Sequence, residues 1–182
     1  MGIEICILDW IQGIRTPIGD MVMTFITRLG DAGAIWILLA VALLIIPKNR
    51  KSGMVLAAAL CVDVILCNGI LKNLFGRIRP CDVNTSIQLL IPRPDDFSFP
   101  SGHTAVSFTA VAALMMAGKQ KLWKPALVLA VLIAFSRLYL YVHYPTDILG
   151  GMIVGTVAGT IGYLTVEKLE QWKENERKMS ER

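Results

Sequence analysis

The sequence predicts an all-α integral-membrane helical bundle of five transmembrane helices, or six if the N-terminal segment also crosses. Three observations carry this. Hydrophobic residues are 54% of the 182-residue chain, and the mean hydropathy of +0.57 lies above that of a soluble domain. Apolar runs recur at 32–47, 53–75, 103–118, 125–142 and 147–166, each near the roughly 20 residues that span a hydrocarbon core. The polar residues suited to catalysis cluster at the ends of those runs.

Residues 3–30 interleave apolar positions with Asp9, Arg15, Asp20 and Arg28, a pattern for helices lying at the membrane interface. They become a sixth crossing only if those charges face protein. The runs 32–47 and 103–118 are the short ones. The run 53–75 carries Asp63 mid-span, where a carboxylate is costly. Asp63 precedes Lys72 by nine residues, half a turn out of phase in an α-helix, so the two are predicted on different faces. A structural partner in another helix, or protonation, then accounts for Asp63 better than catalysis does. The last run carries Gly151, Gly155 and Gly159 at four-residue spacing, a small-residue stripe for close intramolecular packing. Residues 167–182 read as a charged helical tail whose like-charge pairs Glu170/Glu174 and Lys173/Arg177 favour fraying.

Basic residues orient the chain. Lys48, Arg50 and Lys51 form one group, Lys119, Lys121 and Lys124 a second, and Lys168, Lys173, Arg177, Lys178 and Arg182 a third. Five crossings put all three on one side, which the positive-inside rule makes cytoplasmic. The localisation expected is a multi-pass protein of the cell membrane with a cytoplasmic C-terminal tail. The first residues, with Glu4 and Asp9, do not read as a cleavable signal peptide. Cys6, Cys61, Cys67 and Cys81 lack ligand spacing and read as buried small hydrophobes. A net charge of +4 raises the question of nucleic acid, but the cations form no continuous basic face, so no nucleic-acid partner is expected.

Three clusters carry the chemistry: Lys72-x6-Arg79-Pro80, Pro100-Ser101-Gly102-His103, and Ser136-Arg137-x5-His143-x3-Asp147. With five crossings they meet on the side opposite the basic groups. Ser101 is placed to cap the helix that follows, whose first N–H groups near Gly102 and His103 form an anion site. Asp147 opens the last helix within reach of one ring nitrogen of His143, fixing its tautomer and raising the basicity of the other nitrogen. Lys72 closes a long helix, where snorkelling alone would explain it. Together with Arg79 it can also hold the oxygens of one phosphate. No second carboxylate cluster has ligand spacing, so neither metal nor other cofactor is expected.

These three clusters resemble the type-2 phosphatidic acid phosphatases, integral-membrane lipid phosphatases whose superfamily includes vanadium haloperoxidases. The resemblance runs from about residue 30 to 166, with every signature position present. It implies that His143 attacks phosphorus to form a phosphohistidine, Asp147 orients it, and His103 protonates the leaving oxygen. Lys72, Arg79, Ser101, Gly102 and Arg137 would hold the phosphoryl oxygens. The domains expected are an interfacial segment 1–30, a membrane-embedded phosphatase domain 31–166 and the tail 167–182.

The function expected is metal-independent hydrolysis of a lipid phosphomonoester or diphosphate at the extracytoplasmic face. Undecaprenyl diphosphate, phosphatidylglycerol phosphate, phosphatidic acid and lipid A phosphate all suit such a site. The expected partners are that substrate and membrane lipids, for a monomer or weak dimer. A phosphotransferase using the same site, and a non-enzymatic lipid-phosphate binder or transporter, are the alternatives.

Overall fold

The computed structural model describes residues 2–180, and among them the regular structure is helical throughout, without strands. Helix α1 spans Gly2–Gly13 and α2 spans Pro17–Leu29. Thr16 starts α2, its hydroxyl accepting from the Gly19 N–H at 3.1 Å with proline at the first helical position, as N-terminal chemistry favours. A tight turn at Asp31–Gly33 follows, in which Ala32 (φ 49°) and Gly33 (φ 70°) are left-handed. It opens α3, Ala34–Ile45.

Helix α4, Arg50–Asp63, continues through a π-helical segment Val64–Leu71 into the single turn α5, Lys72–Phe75, which ends at left-handed Gly76. A short α6, Pro80–Val83, precedes the loop to α7, Gly102–Met116. Helix α8 spans Gln120–Tyr139 and α9 spans Pro145–Ser180.

The five apolar runs coincide with α3, α4 and its extension, α7, α8 and α9. Three stretches, Pro47–Val83, Gln120–Tyr139 and Pro145–Ser180, are long and apolar enough to cross a membrane by themselves. The pair Pro17–Leu29 and Asp31–Ile45, bent by 44°, makes a fourth candidate, and α7 is apolar but shorter. Large apolar side chains such as Leu38, Ile65, Val128 and Ile153 face outward, as expected of a bundle surrounded by lipid. The protein is a helical membrane protein.

Two sequence-based expectations change here. Asp63 and Lys72 line one cavity, because the i→i+5 turns of the intervening π-helix underwind the chain and shift the phase that a regular α-helix would have kept. Of the cysteines, Cys67 and Cys81 are buried but Cys6 and Cys61 are exposed, Cys61 in an apolar groove between α3 and α4.

Close packing of α7 on α9 organises the bundle. A Cβ on Gly151 would lie 2.8 Å from the Ser101 carbonyl oxygen, one on Gly159 2.9 Å from that of Thr109, and one on Gly155 inside contact distance of the Ala105 carbonyl. Gly162 is packed as tightly on Ala59 of α4, at 2.5 Å. The small-residue stripe is therefore an intramolecular seam. At one end of the bundle the basic groups converge: Lys51 pairs with Glu167 and Glu170, each at 2.6 Å, and the Lys119 ammonium donates to Asn49 at 2.9 Å. The Lys51 pairs and Lys178–Glu174 at 2.7 Å accompany a tail that is helical to Ser180.

The seam makes a direct stability prediction. Gly155→Ala should lower the unfolding temperature in detergent by roughly 5 °C, from about 2 kcal/mol of overpacking. Gly13→Ala, at a position with no neighbour within 4 Å, should leave it unchanged. Equal melting of the two variants would contradict the seam.

Candidate active site

The eight residues singled out by sequence gather at the end of the bundle opposite the basic groups, and most are deeply buried. Lys72 is 7% exposed, Arg79 2%, Arg137 3%, His143 1%, and Ser101 and Asp147 are fully buried. One backbone bond joins two of the clusters, the Ser101 N–H donating to the Asp147 carbonyl at 3.1 Å, and another closes the turn within the third, the Val142 N–H donating to the Arg137 carbonyl at 3.2 Å.

Arg79, extended at the start of α6, makes the most contacts. Its Nε donates to the Asp96 carbonyl at 2.8 Å, its Nη1 to the Val142 carbonyl at 2.7 Å, and its Nη2 to Asp96 Oδ1 at 2.5 Å. The same Nη1 lies 3.1 Å from His143 Nε2. A guanidinium can only donate, so this contact makes Nε2 the lone-pair nitrogen and leaves the ring proton on Nδ1. That proton faces Asp147, whose Oδ2 is 3.4 Å from Nδ1, close but beyond a good hydrogen bond. Burial first, then the cations Arg79, Arg137 and Lys72, hold the His143 imidazole well below its ordinary value of 6.5, so it is neutral at neutral pH.

Asp147 is occupied elsewhere. Its Oδ1 accepts from Arg77 Nη1 at 2.6 Å, and its Oδ2 from the Ser98 hydroxyl at 2.5 Å and the Tyr144 N–H at 2.8 Å. Arg77 also donates to Glu4 at 2.7 Å and stacks over the Tyr144 ring at 4.0 Å. The closest ion pair of Asp147 is thus with Arg77, and His143 Nδ1 itself has no hydrogen-bond partner.

Ser101 corrects another expectation. It occupies the N-cap position of α7 but makes no side-chain cap bond, and its hydroxyl accepts from Thr104 Oγ1 at 3.0 Å instead. The first-turn N–H groups at Gly102 and His103 therefore keep their capacity for an anion. Ser136 bonds back to the Ile133 carbonyl at 2.7 Å. Arg137 donates to Thr27 of α2 at 2.6 Å, and its Nε has no partner.

Three residues matter here that sequence reasoning missed or underrated. His103 Nε2 is 2.9 Å from Asp31 Oδ1. The left-handed turn at Ala32 and Gly33 carries Asp31 to this position, and Gly30 leaves room for the ring, since a Cβ there would meet His103 Cδ2 at 2.9 Å. Asp31 lies in the run Gly30-Asp31-Ala32-Gly33, a turn signal that could have marked it. Asp96, in the loop between α6 and α7, bridges two of the cations, pairing with Lys72 as well as Arg79. Arg77, outside the three motif clusters, holds Asp147 and Glu4 together.

A cavity of about 400 Å³ opens beside these groups, lined by Lys72, Asp96, Gly102 and His103 near the cluster and by Asp63 and Asn68 along the π-helix. Arg79, Arg137, His143 and Asp147 are not part of its lining. Half-exposed Asp96 reaches from its wall to both Lys72 and Arg79. Among the described residues no group of three His, Cys, Asp or Glu side chains assembles as a metal site.

The arrangement of three buried cations, a neutral histidine and a second histidine at a helix N-terminus suits a tetrahedral oxyanion. Comparison with known proteins agrees. The family model described as PAP2 superfamily matches residues 52–171. The chain is 30% identical to the undecaprenyl-diphosphatase of Sulfolobus acidocaldarius over 145 residues, covering 80% of this chain and 68% of that protein. It is 30% identical to the lipid A 4'-phosphatase of Bacteroides thetaiotaomicron over 181 residues, covering 92% and 78%. The crystal structure of Aquifex aeolicus LpxE superposes with a TM-score of 0.76 at 29% identity, covering 88% of this chain and 94% of that one. The signature clusters, the fold and these similarities together place the chain in the PAP2 superfamily.

Proposed function

We propose that this chain, a phosphoric ester hydrolase of the PAP2 superfamily, removes phosphate from a membrane lipid through a phosphohistidine on His143, without a metal, at the extracytoplasmic face. The observation that carries the reading is the pair of contacts on His143. Arg79 fixes the lone pair on Nε2, while Asp147 lies on the Nδ1–H side. In this mechanism Nε2 attacks phosphorus and the bond to the leaving oxygen breaks. His103, in line with its contact to Asp31, supplies the proton that the leaving oxygen takes. Water then attacks the phosphohistidine, giving its proton to His103 and releasing free phosphate and the neutral nucleophile.

Lys72, Arg79 and Arg137, with the N–H groups at Gly102, stabilise charge on the equatorial oxygens. The partnerless Nε of Arg137 suits one such oxygen. A phosphoryl group entering from the cavity displaces the Asp96 carboxylate from Lys72 and Arg79, one anion replacing another.

The substrate class is a lipid phosphate or diphosphate, in keeping with the names of the relatives. Five crossings by α3, α4 with its extension, α7, α8 and α9 put the convergent basic segments in the cytoplasm and the site outside, with residues 167–182 as the cytoplasmic tail. Residues 31–166 are the phosphatase domain, and the 1–30 segment supports it through Glu4 and Thr27. Release of free phosphate, rather than a phosphorylated lipid acceptor, separates hydrolysis from phosphotransfer.

His143→Ala should reduce turnover at least 10³-fold, on the scale of losing a nucleophile, while the protein still inserts. Wild-type protein quenched with labelled substrate should carry an acid-labile phosphoryl group, and label on the variant would refute the assignment.

The pH profile offers a second check. Because the folded protein lowers the His143 pKa, the nucleophile is protonated only in acid. The acidic limb of kcat/KM should therefore lie below pH 6.5, and a limb above that value would contradict a buried, cation-flanked nucleophile.

Metal independence is tested separately. Activity should persist in excess chelator, and vanadate should inhibit more tightly than phosphate as a trigonal-bipyramidal mimic. Loss in chelator that magnesium restores would overturn the charge balance proposed.

A further inference from the structure

The cavity extends beyond the phosphate cluster, and its far wall is built from an unusual helix. Lys72 and Asn68 are four residues apart, and Asn68 and Asp63 are five apart across the π-helical segment. The i→i+5 turns carry one row of side chains, Lys72, Asn68 and Asp63, down the same cavity wall. At its upper end Asn68 Oδ1 lies 3.3 Å from where a Cβ on Gly102 would stand, beside Lys72 Nζ at 3.7 Å. At its lower end Asp63 is 2% exposed; its carboxyl meets the Thr109 hydroxyl of α7, while its Oδ1 has no hydrogen-bond partner.

An unsatisfied carboxyl oxygen at membrane depth is costly and points to a ligand. The volume of about 400 Å³ falls in the range of small-molecule sites and leaves room for more than a phosphoryl group. Asp63 lies on the membrane-interior side of Lys72, the side from which a phosphate's own lipid carrier extends.

We infer that Asp63, with Asn68, forms a subsite for a hydrogen-bond donor on the lipid headgroup next to the scissile phosphate: a hydroxyl or amide N–H of a glycerol or sugar. The inference rests on the lipid phosphatase reading above. Ionised or not, a carboxyl oxygen accepts, and Asn68 can both donate and accept. Glycerol and sugar headgroups offer the missing donor. The ester carbonyls of phosphatidic acid and the second phosphate of a prenyl diphosphate offer acceptors, so those substrates leave Oδ1 unsatisfied, as it is in the free protein. A site built to bond a hydroxyl discriminates strongly against the analogue that lacks it.

The test uses purified full-length protein in mixed micelles with four substrates: a lipid A-type sugar phosphate, phosphatidylglycerol phosphate, phosphatidic acid and undecaprenyl diphosphate. The wild type should favour one or both donor-bearing substrates in kcat/KM. In Asp63→Leu the ratio of that value to the one for phosphatidic acid should fall at least tenfold, mainly through KM. Asp63→Asn, which keeps an acceptor oxygen, should hold most of the ratio. The wild type alone gives the same test independently of folding, since 2-deoxyglycerol and deoxysugar analogues should each be compared with their parent. A tenfold loss in one arm identifies the source of the donor. Unchanged ratios in both variants and both analogue arms, or an equal fall for every substrate, would overturn the subsite. Failure of the wild type to release phosphate from any of the four would instead overturn the lipid phosphatase reading.

Discussion

The site depends on how closely α7 and α9 approach. Glycines at 151, 155 and 159 let the two backbones touch, and that contact sets the distance between the Ser101–His103 turn at the start of one helix and the His143–Asp147 turn at the start of the other. The Ser101 N–H bond to the Asp147 carbonyl then locks the two turns together. In a membrane, where apolar surfaces gain little by leaving lipid for one another, close van der Waals packing of small residues is the available force for such a register. A side chain at any of these glycines would separate the two halves of the cluster before it touched a functional group.

Charge is the second constraint. Three cations and a neutral imidazole are held in a poorly solvated corner, an arrangement that repels itself in the absence of anions. Two carboxylates relieve it in different ways. Asp147 is fully buried and tied to Arg77, Ser98 and the Tyr144 backbone, so it belongs to the framework. Asp96 is half exposed on a loop and pairs with Lys72 on the cavity wall and with buried Arg79, so it is the carboxylate that an incoming phosphoryl group would meet. The difference in burial separates a permanent counter-ion from an exchangeable one.

The N-terminal helices take part in the same economy of contacts. Glu4 meets Arg77 and Thr146, Asp9 accepts from Tyr141, Asp20 pairs with Arg15 and accepts from Tyr139, and Thr27 accepts from Arg137. Of the charges that made this segment look interfacial, Asp9 and Asp20 are therefore partnered by Tyr141 and Tyr139, at the turn and helix end that frame the site. Residues far apart in sequence supply the polar partners that a membrane interior cannot.

By itself the sequence determined the helical membrane class, the positions of the five apolar segments, the glycine seam and the three motif clusters from which the candidate site is drawn, because each rests on local spacing: length against a bilayer, four-residue periodicity, or fixed offsets within a motif. What only the tertiary structure decided are relations across the chain or departures from ideal geometry. The π-helix puts Asp63 on the face of Lys72 where an α-helical count separates them. The left-handed turn at Ala32 and Gly33 delivers Asp31 to His103. The Ser101 hydroxyl turns to Thr104 instead of capping, and Asp147 makes its closest ion pair with Arg77, outside the predicted site. None of these follows from residue type or spacing, since each depends on which of several competing partners the packed backbone brings within about 3 Å of a polar atom.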